Sequence, residues 1–343
     1  MTDRYDLVRM NQTKHKGPGR HKRVGLTILE FMELFPDEET AELWFENAIW
    51  GETGRVCGHC HGVDTFATKS GKPMKYRCRA CRKYFNIKTG TFLHGTQVPL
   101  RTWAHAIYLM VTNIKGISSL RARRELGVTP KTAWHMNHRV RRAMNIFPKE
   151  EFLFNGEVEV DETYIGGRES NRHASKKLHL GRGTVGKQPV IGVRDRETGL
   201  VRAEVIPDTT RSTLHGFIQQ NVSIKSQVYT DEAHAYKQLV DYEHGSVQHS
   251  AGEYVKGKAS TNGIESFWAM VKRGYIGTYH NMSFKHLHRY IREFSGRHNI
   301  RKFDTIVQIF MIIRNMGGTR LRYQDLIKTP TKKTAQAPST TKV

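Results

Sequence analysis

Three acids far apart in the chain stand where they could do chemistry together: Asp161 in VEVDETYIGG, Asp231 closing QVYTD, and Glu265 in STNGIESFWAMVKRG. If the last stretch is a helix, Ile264, Phe267, Trp268 and Val271 recur at i, i+3, i+4 and i+7 and make an apolar stripe. Glu265 then lies on the rim of that stripe, and Lys272 returns to nearly the same angle about 10 Å further along. A plainer reading makes Asn262 and Glu265 a helix cap with its third-position acid; the two upstream aspartates favour the chemical one. Gathered carboxylates repel unless a divalent cation neutralises them. Oxygen ligands with no His and Cys beside them imply two Mg²⁺ or Mn²⁺ ions, which suit attack on a phosphodiester. Strand alternation puts Glu157, Glu159 and Asp161 on one face and Glu162 on the other, so that Glu159 rivals Asp161 as first ligand.

A second set has a different chemistry. Cys57-Gly-His-Cys60 and Cys78-Arg-Ala-Cys81 are two knuckles separated by 17 residues, the spacing of a four-thiolate site for one structural Zn²⁺. His59 and His61 read as surface residues beside a complete quartet, and Lys75, Tyr76, Arg77, Arg79, Arg82, Lys83 and Tyr84 mix cations with aromatics as a nucleic-acid-contacting ribbon would. The whole chain of 343 residues carries a formal charge of +23, which points to a polyanionic partner. No apolar run approaches the ~20 residues of a membrane span, so nucleic acid fits better than a bilayer. Four cysteines are too few for a disulfide scaffold, and MTDRYDLVRM lacks a signal-peptide run; a reducing cytoplasm is the expected compartment.

Several elements must position these groups. Thr27 to Trp50 reads as two short helices, after a basic arm, NQTKHKGPGRHKR, that is either solvated or phosphate-binding. Pro99 to Met144 is helical, and GISSLRARRELGVTPKTAWHMNHRVRRAM reads as helix, Gly127-centred turn and second helix. On that second helix Lys131, His135, His138, Arg139, Arg141 and Arg142 are expected outside an apolar face of Ala133, Trp134, Met136 and Val140. The sharp reading is a helix-turn-helix with this helix in a major groove; a plain helical hairpin is the alternative. After Pro148 the period changes to two, giving a strand at Asp161, a hairpin turning at Glu197-Thr198-Gly199, a helix from Thr210 to Val222, a strand ending at Asp231 and running into a helix, and a weaker strand near Val247 to His249. This order indicates an α/β domain with a mixed sheet. GRGTVGK mimics a phosphate loop, but Gln188 stands where Ser or Thr is needed, so it reads as a basic loop offering Arg168, Arg172, Lys176, Lys177 and Arg182 to DNA.

VEVDETYIGGRE, VYTDEAHAY and NGIESFWAMVKRG resemble the three catalytic motifs of DDE transposases of bacterial insertion sequences, most closely the insertion-sequence family numbered fifteen ninety-five. The resemblance runs from about Phe31 to Asn315 and includes LFPDEETAELWFENAIW, RCRACRKYF and KTGTFLHGT. It implies an RNase H-like catalytic domain, and with the reading of the residues this gives a multi-domain α/β protein: a basic arm (1–26), a helical lead-in (27–52), a zinc ribbon (53–95), a helix-turn-helix region (96–148), the catalytic domain with C-terminal helices (149–316) and a basic disordered tail (317–343). It further implies DNA cleavage and strand transfer at terminal inverted repeats, by at least a dimer on double-stranded DNA. Asp161, Asp231 and Glu265 would be the Mg²⁺ ligands, with Lys272 gripping a phosphate and Arg273 beside it on DNA. Asn262 could orient the loop, and His234 and His249 could polarise a phosphate.

Overall fold

Local capping chemistry sets the first elements of the computed structural model, which describes residues 23–51, 54–146, 153–167, 169–171, 173–177, 183–247 and 260–328. The arm to residue 22, Arg168, Arg172, Arg182, His249 and the tail beyond 328 lie outside the described residues. Thr27 and Glu30 close a reciprocal capping box that starts α1 (Ile28–Leu34). Pro36 then blocks continuation, and the Asp37 carboxylate accepts the Thr40 N–H to start α2 (Glu38–Trp50). The antiparallel ribbon β1 (Thr65–Ala67), β2 (Tyr76–Cys78) and β3 (Tyr84–Phe85) hangs from the end of α2, where Trp50 meets Tyr76 and Phe85 edge-on.

Three helices follow: α3 (Leu100–Thr112), α4 (Ser119–Leu126) and α5 (Pro130–Ala143). Ser118 caps α4, Gly127 ends it at φ 63°, a conformation that costs glycine little, and Thr129 caps α5 with Pro130 in its first turn. The expected basic outer face of α5 is not outside. His138, Arg139 and Arg141 are buried, because α5 is wedged between the first helices and the C-terminal ones.

Beyond them lies a five-stranded sheet of β4 (Glu157–Ile165), β5 (Gln188–Asp195), β6 (Val201–Val205), β7 (Gln227–Asp231) and β8 (Glu243–Val247), in the order β6-β5-β4-β7-β8. The β4-β5-β6 part is antiparallel; β7 and β8 run parallel to β4. β4 is therefore central and buried on both faces, as its valines require. One face is covered by α6 (Arg211–Asn221) through Leu214, Phe217 and Ile218. The other is covered by α7 (Asn262–Gly274) and α8 (Phe284–Ile300), with Phe267, Trp268 and Phe294 in the packing.

Three expectations need correction. The segment after Asp231 makes only a single 3₁₀ turn, His234–Tyr236, and the next strand begins at Glu243, four residues before Val247. The helix α9 (Thr305–Arg314), expected with the sheet, sends Ile309, Ile312 and Ile313 into the core of α2, α3 and α5. Part of the expected disordered tail is ordered: α10 (Tyr323–Ile327) buries Leu326, and the preceding Leu321 is 1% exposed. Apolar anchors overrode the basic composition of that stretch. Between the two cores, the buried Glu293 of α8 is gripped by Arg141 at 2.6 Å and Arg297 at 3.1 Å, and accepts from the Tyr279 hydroxyl.

Candidate active site and zinc centre

The first two acids are brought level by strand register. Glu159 on β4 stands beside Tyr229 on parallel β7, and two residues further on Asp161, in the middle of β4, comes level with Asp231, the last residue of β7. On the other side of β4, Asp161 is opposite Gly192 of β5. A Cβ at Gly192 would come within 2.8 Å of the Trp268 ring and 3.2 Å of Ile264, so this glycine lets α7 settle onto the sheet directly above Asp161. α7 thereby carries Glu265 to the same end.

Two of the acids are held by hydrogen bonds of their own. The Asp231 carboxylate accepts the Ala233 N–H at 3.0 Å, and that of Glu265 accepts the Thr261 hydroxyl at 2.7 Å. Burial, together with Glu162, Asp231 and Glu265 nearby, pushes the Asp161 carboxyl up to about 8. Such mutual disfavour is what a divalent cation relieves. The adjacent Glu162 is also raised, by burial and by Asp231, while the buried Tyr236 hydroxyl donates to it and partly offsets the rise.

Glu159 has another job. It is 3% exposed, with Arg194 at 3.3 Å and Arg196 at 3.1 Å, and its second oxygen accepts the Ile264 N–H at 2.8 Å. This carboxylate caps α7 from the sheet, satisfying a free N–H and complementing the positive end of the helix. The capping pattern expected of Asn262 and Glu265 is thus met differently: Thr261 is the cap residue, Asn262 is already helical, and the anion comes from β4. Gly263 leaves room for this ion pair, since a Cβ there would lie 2.2 Å from Arg194 and 2.6 Å from Glu159 and would push both side chains aside. Arg196 also donates to the Ser260 carbonyl at 2.6 Å, so one guanidinium ties β5, β4 and the approach to α7 together. Only the acidic alternation of β4 hinted at this anchor, and it did not say which carboxylate would be neutralised.

Lys272 and Arg273 are exposed on α7, and Lys272 borders a cleft of about 910 Å³ with Glu162, Gly166, Gly167, Lys187, Tyr275 and His280. Of the acids discussed only Glu162, next in sequence to Asp161, lines this cleft, whose wall carries the cations Lys187 and Lys272. Of the other cations expected at DNA, Lys131 is exposed with its ammonium 4.4 Å from the Tyr323 ring centre, and Arg142 and Lys177 are half-buried. Lys176 lies in a short 3₁₀ turn, and His234 is exposed. Arg139 is turned inward: it donates to the Leu321 and His94 carbonyls, which removes it from any phosphate. His135 shares the Leu321 carbonyl and is half-buried, for the same reason.

The four cysteines converge as their spacing requires. Their sulfurs all lie within 4.8 Å of one another, with Cys57 to Cys81 and Cys60 to Cys78 each at 3.7 Å. A zinc–sulfur bond of about 2.3 Å gives tetrahedral edges of about 3.8 Å, so the quartet fits one structural zinc. Among the described residues it is the one group of His, Cys, Asp or Glu already at metal-binding spacing. His59 is not a ligand; its ring contacts the Tyr84 carbonyl. Much of the ribbon's charge is spent internally, with Lys75 on Glu46 at 3.0 Å, Arg79 on Asp64 at 3.2 Å and Arg55 over Tyr76. Among the described residues no helix is long and apolar enough to cross a membrane.

Comparison with known proteins agrees with this division. Residues 36–84 match the transposase zinc-ribbon domain, and residues 154–299 match the ISXO2-like transposase domain. A protein in transposable element ISH50 of Halobacterium salinarum is 32% identical over 283 residues, covering 78% of this chain and 93% of that relative. A chain in the structure of the simian T-cell lymphotropic virus intasome, in complex with a PP2A regulatory subunit, is 13% identical with a TM-score of 0.27, covering 54% of this chain and 66% of its own. That likeness is too slight to bear on the chemistry. With a ribbon and a transposase domain in one order, and a relative aligned over nearly its whole length, the chain belongs to the ISXO2-like transposases of insertion sequences, the family numbered fifteen ninety-five.

Proposed function

We propose that this transposase cuts and joins DNA at the terminal inverted repeats of its element by DDE chemistry, with Asp161, Asp231 and Glu265 as the carboxylates that would hold two Mg²⁺ or Mn²⁺ ions. The observation that supports the reading is that Asp161 on β4 has Asp231 of β7 and Glu265 of α7 close enough to disfavour its charge, adding to burial and Glu162 in pushing its carboxyl up to about 8. Strand order β6-β5-β4-β7-β8, with three antiparallel strands followed by two parallel ones, supports an RNase H-like catalytic domain. When bound, such ions activate the attacking oxygen and stabilise the leaving one in an in-line displacement. The chain's own residues do the rest. Glu159 and Arg196 hold the start of α7, and so the height of Glu265 above the sheet. Tyr236 orients Glu162 at the mouth of the cleft, and Lys272 supplies a cation for a DNA phosphate there. Pairing two DNA ends requires a dimer or larger assembly on double-stranded DNA. The work would take place in the cytoplasm.

Asp231→Asn tests the reading with supercoiled plasmid and with duplexes taken from the flanks of the coding region. Nicking and joining should fall by several orders of magnitude in Mg²⁺ while duplex binding persists. Wild-type protein that binds these duplexes yet never nicks them in Mg²⁺ or Mn²⁺ would leave a DNA-binding regulator as the better account.

A further inference from the structure

The helix pair α4–α5 was expected to offer α5 to a major groove, but packing has closed that option. Beyond Lys131 no residue of α5 is exposed: Trp134 meets His286 and Tyr323, His135 and Arg139 bind the Leu321 carbonyl, and Arg141 binds Glu293. α4 is the reverse. Only Ala122 is buried, and Leu120, Arg121, Arg123 and Arg124 are all exposed, Leu120 to 63%. At 100° per residue Arg123, Leu120, Arg124 and Arg121 fall in that order around one outward arc of about 160°. The sole acid of the helix, Glu125, lies at the far edge and is paired with Arg121 at 3.5 Å. Ile114 and Lys115, exposed in the loop before the helix, extend the same apolar and basic character.

From this we infer that α4, not α5, is the helix of the pair that meets duplex DNA, with Arg123 and Arg124 on phosphates and Leu120 between them against the groove. A leucine between Arg123 and Arg124, which have no carboxylate partner among the described residues, matches a partner that is anionic at its rims and offers apolar contacts at its base edges. An eight-residue helix is about 12 Å long, comparable to the width of a major groove. The net charge of +23 favours that partner over another protein. The inference rests on the reading of DNA as substrate and adds which surface grips it.

The test uses the full chain and fluorescent duplexes, one from the flank of the coding region and one scrambled, titrated over a range of salt. Replacing both arginines (Arg123→Ala with Arg124→Ala) should weaken both duplexes roughly tenfold and cut the slope of log K against log salt by about 1.8. Leu120→Ala should leave the slope alone and narrow the preference for the flank duplex. All three side chains are exposed, so melting temperatures should not move; should the alanine pair fail to fold, Arg123→Gln with Arg124→Gln replaces it. Unchanged affinity and slope in the arginine variant, with wild-type protein that binds and nicks DNA, would sink the inference alone. So would unchanged DNA binding with a smaller assembly on sedimentation, which would make the face a protein contact. Wild-type protein that binds no duplex would overturn this inference and the proposed function together.

Discussion

The zinc ribbon and the acidic end of the sheet answer the same problem in opposite ways. In the ribbon, four sulfurs from two knuckles stand at tetrahedral spacing, with Cys57 and Cys78 wholly buried. At the sheet, Asp231 and Glu265 are each held by a hydrogen bond of their own, and the Asp161 carboxyl is driven up by burial first and then by the acids around it. Neutral thiols can close on one another without cost, whereas carboxylates cannot. One centre is therefore part of the fold, and the other is strain kept in place by the fold around it. Glu159, two residues from Asp161 on the same strand face, shows what an acid becomes here when arginines reach it: a structural anchor.

That contrast can be broken experimentally, and the largest effect belongs to the ribbon. Cys78→Ser should abolish zinc binding, measured by metal analysis, and expose the ribbon to protease, because zinc supplies about 10–16 kcal/mol to such modules. A ribbon that stays folded without metal would erase the distinction. Next comes the anchor. Glu159→Ala strands two arginines and the end of α7, and should cost about 3–5 kcal/mol in denaturant unfolding, with Glu159→Gln recovering part through the Ile264 N–H. Opposite in sign, Asp161→Asn should raise metal-free stability at neutral pH by about 1 kcal/mol while abolishing nicking, since it removes a carboxyl that folding must protonate against its unfolded preference. Destabilisation instead would mean that the acids support the fold.

The smallest expected effect concerns His138, which is wholly buried with no hydrogen-bond partner at either ring nitrogen among the described residues. Burial, then Arg141 and His286, drive its pKa far down, so the folded imidazole stays neutral. The unfolded chain takes up that proton as pH falls through about 6.5, and stability is lost in that direction. Near pH 5.5 the loss from this group is about 1 kcal/mol, and His138→Leu should flatten the decline of melting temperature between neutral and mildly acid pH.

Residues that act over one or two turns were legible in advance. The knuckles, the capped helices α1, α2, α4 and α5, and the stripe that lays α7 on the sheet all follow from neighbours within a few positions. The three acids stood out as candidates by the same local reading, Asp161 within a strand, Asp231 at a strand end and Glu265 on a helix. What periodicity could not carry is the identity of the partner. Glu159 and Asp161 look alike on β4 until Arg194, Arg196 and the Ile264 N–H arrive from other elements to neutralise one of them. Arg139 and Arg141 look solvent-facing until the Leu321 carbonyl and Glu293, more than 150 positions away in the chain, claim them.

The sequence by itself therefore determined which chemistries were present: thiolates at zinc spacing, acids on one strand face, and a large cationic surplus. Only the tertiary structure decided which charges would be paired and which left to act. A side chain's charge is a local property, but its neutralisation depends on groups that long-range packing alone brings within reach.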